Sequence, residues 1–184
     1  MNTLQNVMGQ TLDAYNWSYF VTLTTKHRMT LKSARRYATV YTNKIHRKET
    51  ELNGGAYVPK VASIWFAEEH KQKDSFHLHM LLYSKLSYSS LHALWQLTSG
   101  APKGVNQYCK ILNYIKDYGA SFYVAKYVVK KASDWDLQFI GCKMDDLIDY
   151  EKDFDRLGVV EGKNTLVKKR SVTSKVKSKR QVRQ

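Results

Sequence analysis

Two apolar stretches, residues 61–72 and 76–84, are separated by little more than the polar pair Lys73-Asp74. Both are rich in β-branched and aromatic residues, and so short a polar break reads as a turn between two strands. Strands joined in this way are antiparallel neighbours, which places an antiparallel hairpin inside whatever sheet the chain forms.

The remaining elements arrange themselves around that hairpin. Residues 16–25 (NWSYFVTLTT) read as a strand. Thr30 offers an N-cap to a helix running to about Leu52, with Leu31, Ala34, Ala38, Tyr41 and Ile45 on one face at helical spacing. Asn53-Gly54-Gly55 ends it. A short helix over residues 87–98 turns Leu91, Leu94 and Trp95 inward. Residues 105–112 form a weaker strand, and a helix opening at Tyr118 or Ser121 runs to about Ala132. Residues 134–140 alternate and read as a last strand. The order β-α-β-β-α-β-α-β predicts an α+β fold: a central, mainly antiparallel β-sheet flanked by helices.

Composition removes several alternatives. With 12% aromatic and 43% hydrophobic residues over 184 positions, the chain is expected to fold, and its length suits one domain with an appendage. Two cysteines, Cys109 and Cys142, are too few for a disulfide scaffold, so a reducing compartment is expected. No apolar run of about 18 residues is present, so no membrane partner is expected. Residues 1–13 lack the basic start and apolar core of a signal peptide. The net charge of +14 points to nucleic acid.

That charge is unevenly spread. Residues 1–133 hold 18 basic and 7 acidic residues, residues 134–161 hold 3 and 9, and residues 162–184 hold 9 and none. The expected organisation is a domain over 1–141, an acidic segment over 142–161 and a basic arm over 162–184. The arm reads equally as a solvated tail or as a nucleic-acid-binding extension.

Within the hairpin, His77 and His79 are two apart in FHLHMLL, so a strand sets both imidazoles on one face and Leu78 and Met80 on the other. If Lys73-Asp74 is the turn, His79 falls opposite Glu68 and His77 opposite His70. Glu68 then shares the histidines' face. A one-residue slip or a bulge substitutes Glu69. Two imidazoles and one carboxylate with open positions suit Mn²⁺ or Mg²⁺ acting on a phosphate, and tolerate Zn²⁺.

A second cluster lies in the helix near residue 125. At about 100° per residue, Tyr123, Lys126, Tyr127 and Lys130 share one arc, while Phe122, Ala125, Val128 and Val129 face inward. A phenol is a weak nucleophile at neutral pH. Neighbouring ammonium groups favour the phenolate and hold a phosphate.

Taken together, these residues resemble the HUH endonucleases, in particular rolling-circle replication initiators. Phe20-Val21-Thr22-Leu23-Thr24 resembles the family's first-strand motif. Phe76-His77-Leu78-His79-Met80-Leu81-Leu82 resembles its metal motif. Tyr123-Val124-Ala125-Lys126-Tyr127-Val128-Val129-Lys130 resembles the catalytic helix of phage A-type initiators with paired tyrosines. The three follow the family's order within residues 16–141.

The resemblance implies that Glu68, His77 and His79 bind Mg²⁺ or Mn²⁺ and that Tyr123 attacks the scissile phosphate of single-stranded DNA. That step leaves a 5′-phosphotyrosine and a 3′-OH. Tyr127 would serve the closing transfer, or be structural if one tyrosine suffices, with Lys126 and Lys130 positioning the phosphate. The implied partner is an origin hairpin of a plasmid or virus, in the host cell cytoplasm. No Gly-x-x-x-x-Gly-Lys-Ser/Thr loop is present, so unwinding would fall to a host helicase. A transposase or relaxase of the same chemistry is the alternative enzyme. A non-catalytic nucleic-acid-binding α+β module explains the charge but not both clusters.

Outside the clusters, His70 is expected beside the metal site, and Cys109 and Cys142 read as ordinary thiols. One or two of Trp17, Trp65, Trp95 and Trp135 are candidates for stacking on unpaired bases.

Overall fold

The structure, a computed structural model, describes residues 3–69, 75–102, 106–116, 119–129 and 134–148. All of them lie in one compact unit, Met1–Tyr150. The basic arm and the end of the acidic segment lie outside the described residues.

Among the described residues, four α-helices and five strands follow in the order α1 (Thr3–Asp13), β1 (Tyr19–Leu23), α2 (Leu31–Leu52), β2 (Val61–Glu69), β3 (Phe76–Tyr83), α3 (Tyr88–Ser99), β4 (Cys109–Asn113), α4 (Ala120–Val129) and β5 (Trp135–Ile140). The five strands form one sheet in the order β4-β1-β3-β2-β5, and every pairing is antiparallel. The expected α+β class is therefore correct. One element was not expected: α1 precedes the first strand.

Local chemistry sets the helix ends. Thr30 Oγ1 accepts from the Ser33 amide at 3.2 Å and starts α2. Ser87 Oγ does the same for α3 from Ser90, which ends at Gly100 in the left-handed region, φ 69°. Along α2, Ala34, Ala38, Tyr41 and Ile45 are all buried, as their spacing predicts. The α2 residue Glu49 is buried as well. Its carboxylate accepts from Ser84 Oγ at 2.6 Å and from the Lys85 amide at 2.7 Å, which compensates its desolvation.

Period-two alternation divides the sheet's side chains between two cores. Val21, Leu23, Trp65, Met80 and Leu82 pack with α2 and α3. Phe66, Ile64 and Leu81 pack with Leu12, Trp17 and Val124 from the α1 and α4 side. Residues beyond β5 join the second core: Leu147 is buried, and its carbonyl accepts from the Asn16 amide at 2.8 Å. The compact unit thus continues past residue 141.

The approach of α4 to α1 needs Gly9, because a Cβ there would overlap the Phe122 ring. Ser121, Val124 and Ala125 form the buried side of the described part of α4, with Phe122 half-buried. Val124 thus joins the inward face, where Ala125 and Phe122 were expected.

Candidate metal and nucleophile site

Strands β2 and β3 bring the site together. Glu68 stands opposite His77, and Phe66 opposite His79. This corrects the expected register, in which His79 faced Glu68 and His77 faced His70. The offset is two residues, because pairing closes at Glu69↔Phe76 and six residues intervene rather than a two-residue turn. An even offset preserves the face, so Glu68, His77 and His79 still project together. Glu69 is exposed and paired with Phe76, on the opposite parity. His70 lies outside the described residues.

The three side chains converge on one oxygen. Glu68 Oε2 is 2.9 Å from His77 Nε2 and 2.8 Å from His79 Nε2. Their ligand atoms all lie within 4.8 Å of one another, and the group can hold a metal ion. It is the one such cluster of three among the described residues.

His79 is held from both flanks and from behind. Its ring stacks between Phe66, centroids 5.1 Å apart, and Phe20, at 5.8 Å. Its Nδ1 lies 3.2 Å from the hydroxyl of Thr22, its cross-strand partner on β1. A partner on Nδ1 fixes the orientation that presents Nε2 to a metal. Burial, aided by repulsion from His77 and opposed by Glu68, pushes the His79 pKa down to about 4. The ring is therefore neutral, the form that ligates, at any physiological pH.

Helix α4 carries Tyr123 over this group. The phenol donates to Glu68 Oε2 at 3.2 Å. Its ring meets His79 edge-on at 5.2 Å and Phe20 at 5.9 Å. The start of α4 is anchored by a polar knot that was not expected from the sequence. Tyr114 donates to Asp13 Oδ1 and contacts the Ser121 hydroxyl, which also donates to Asp13 at 3.1 Å. Asp13 ends α1, Tyr114 follows β4 and Ser121 lies in the first turn of α4, so three elements fix the height of Tyr123 above the sheet.

Lys126 is exposed, one turn beyond Tyr123. Tyr127 lies within α4, but its side chain is outside the described part of the structure, as is Lys130. Beside Tyr123 an open groove of about 550 Å³ is bounded by Phe20, Leu112, Ile115 and Ala120. Cys109 and Cys142 are free thiols, far apart in role: Cys109 lies in the α2–α3 core, and Cys142 contacts the Val61 carbonyl.

Thr22 and the Asp13 knot are the features that sequence reasoning missed. Thr22 stands within a motif that was recognised, but only strand order reveals that β1 lies beside β3. No helix among the described residues is long and apolar enough to cross a membrane. Compared with protein-family models, curated proteins and solved structures, the chain has no significant match in any of the three.

Proposed function

We propose that this chain is a metal-dependent endonuclease of the HUH type, a rolling-circle replication initiator that nicks and rejoins single-stranded origin DNA. The observation that carries the reading is the meeting of His77 Nε2, His79 Nε2 and Tyr123 Oη on Glu68 Oε2. A structural histidine cluster has no need of an exposed phenol on the same oxygen.

The spacing of the donor set fits an octahedral ion, and its mixture of two imidazoles and a carboxylate suits a borderline ion such as Mn²⁺. Ligand atoms about 2.1 Å from an octahedral ion lie about 3 Å apart along an edge, close to the spacings of Glu68 to the two imidazoles. Mg²⁺ or Mn²⁺ bound there would supply Lewis-acid polarisation of a phosphate oxygen.

The chain's own groups supply the rest. Tyr123 Oη attacks the phosphorus, and the bond from phosphorus to the 3′-oxygen breaks. Because Glu68 would be engaged in holding the ion, the phenol proton passes to water, and the 3′-oxygen takes up a proton from water and leaves as a hydroxyl. The downstream strand stays on Tyr123 through its 5′-phosphate. Attack by a 3′-OH on that linkage reverses the sequence and joins two strands. Lys126 stabilises the phosphate's charge. Tyr127 and Lys130 complete the motif in sequence and are assigned the second transfer and phosphate positioning.

The test is a denaturing gel with Mn²⁺ and a library of single-stranded oligonucleotides. A covalent protein–DNA adduct is expected from the wild type and none from Tyr123→Phe plus Tyr127→Phe. Full cleavage by that double variant would rule out a phosphotyrosine mechanism.

A further inference from the structure

Trp135 begins β5 and stands directly opposite Phe66. Opposed residues share a face of the sheet. Phe66 lies on the metal-ligand face, stacked on His79, and Glu68 follows it by two along β2. Trp135 is therefore the diagonal neighbour of Glu68, about 7–8 Å away between backbones and within reach of an aromatic side chain.

The four tryptophans differ in one respect. Trp17, Trp65 and Trp95 are 5%, 0% and 0% exposed, whereas Trp135 is 39% exposed. An indole left in water beside a cluster of polar ligands forgoes much of the stabilisation that burial would bring. On the other flank, Lys110 is exposed and stands opposite Thr22, itself opposite His79. The metal group is thus bracketed across the sheet by a cation and an aromatic surface. A single nucleic-acid strand offers a partner to each, a phosphate and a base.

We propose that Trp135 is a stacking platform for an unpaired nucleobase next to the phosphate held at Glu68, His77 and His79. The assignment rests on the nickase reading for what the metal group does to that phosphate. Trp135 acts by positioning and takes no part in bond making.

Because the other three indoles are buried, quenching of the intrinsic fluorescence by a stacked base reports on Trp135. The full-length protein is titrated at low salt with a fifteen-residue oligo-dT and, separately, with a blunt duplex, and binding is followed in parallel by anisotropy. Quenching by oligo-dT well beyond that by duplex is expected. Trp135→Phe should abolish the quench and keep most of the affinity, since its ring still stacks. Trp135→Ala should weaken binding about 5- to 150-fold, the equivalent of one stacked base, with an unchanged thermal melt.

Binding of oligo-dT without quenching would overturn the proposal. So would equal quenching by duplex, or wild-type affinity in Trp135→Ala. Absence of any covalent adduct with Mn²⁺, alongside a normal quench, would instead remove the nickase reading and leave the stacking site standing.

Discussion

Glu68 and His77 face each other across the β2–β3 ladder, with Glu68 Oε2 2.9 Å from His77 Nε2. The same oxygen lies 2.8 Å from His79. Removing its charge by Glu68→Gln should lower Mn²⁺ affinity by more than about 100-fold, beyond the 10–100-fold typical of an outer partner. Glu69→Gln should leave affinity unchanged, because its side chain belongs to the opposite face. Isothermal titration with Mn²⁺ alone checks both, and equal losses would place the carboxylate ligand wrongly.

Thr22 lies behind His79, a candidate metal ligand. Thr22→Val removes the hydroxyl 3.2 Å from His79 Nδ1 while keeping the side chain's shape. Mn²⁺ affinity should fall about 10- to 100-fold, and Thr22→Ser should recover most of it. A valine variant that binds Mn²⁺ as the wild type does would show that Phe20 and Phe66 suffice to hold the ring.

The pKa of about 4 at His79 also makes the metal-free fold sensitive to acid. The unfolded imidazole titrates near pH 6.5, so protons bind the unfolded chain first as pH falls. Above that pH the group contributes nothing to the pH dependence. Between pH 6.5 and 4 stability is lost, by about 3 kcal/mol at most. Urea midpoints at pH 7 and pH 4.5, without metal, should fall further for the wild type than for His79→Gln. Parallel declines would assign the acid sensitivity to other groups.

Gly9 sets how closely α1 approaches α4, since a Cβ there meets the Phe122 ring. Gly9→Ala should destabilise by about 1–3 kcal/mol through overpacking, against a gain in helix propensity of about 0.5–1 kcal/mol. Adding Phe122→Leu should restore part of the loss. A double-mutant cycle by chemical denaturation measures the coupling, and additive effects would exclude a shared contact.

Burial pushes the Cys109 thiol up to about 12. In the native protein it should resist iodoacetamide at pH 8 for as long as the fold persists, and react readily in urea. Mass mapping of the labelled peptides checks this. Fast native labelling at Cys109 would mean that the β4 edge opens.

Much of this was determined by the sequence alone. The spacing of Ala34, Ala38, Tyr41 and Ile45, with Thr30 before them, specifies α2 and its buried face within a few turns of chain. Alternation in FHLHMLL puts both imidazoles on one face whatever strand lies alongside. Even the wrong register preserved Glu68 as their companion, because an offset of two does not change parity. These are short-range periodicities, and a chain segment carries them without its neighbours.

Tertiary structure decided what depends on contacts between distant segments. The partner of Glu68 is His77 because the ladder closes at Glu69↔Phe76. Thr22 meets His79 because β1 lies between β4 and β3. Tyr123 reaches Glu68, 55 positions away, because Asp13, Tyr114 and Ser121 tie α1, the end of β4 and α4 together. Trp135 flanks the Glu68, His77 and His79 group because β5 pairs with β2. Strand order and helix height come from the mutual packing of whole elements, which no local window of residues encodes.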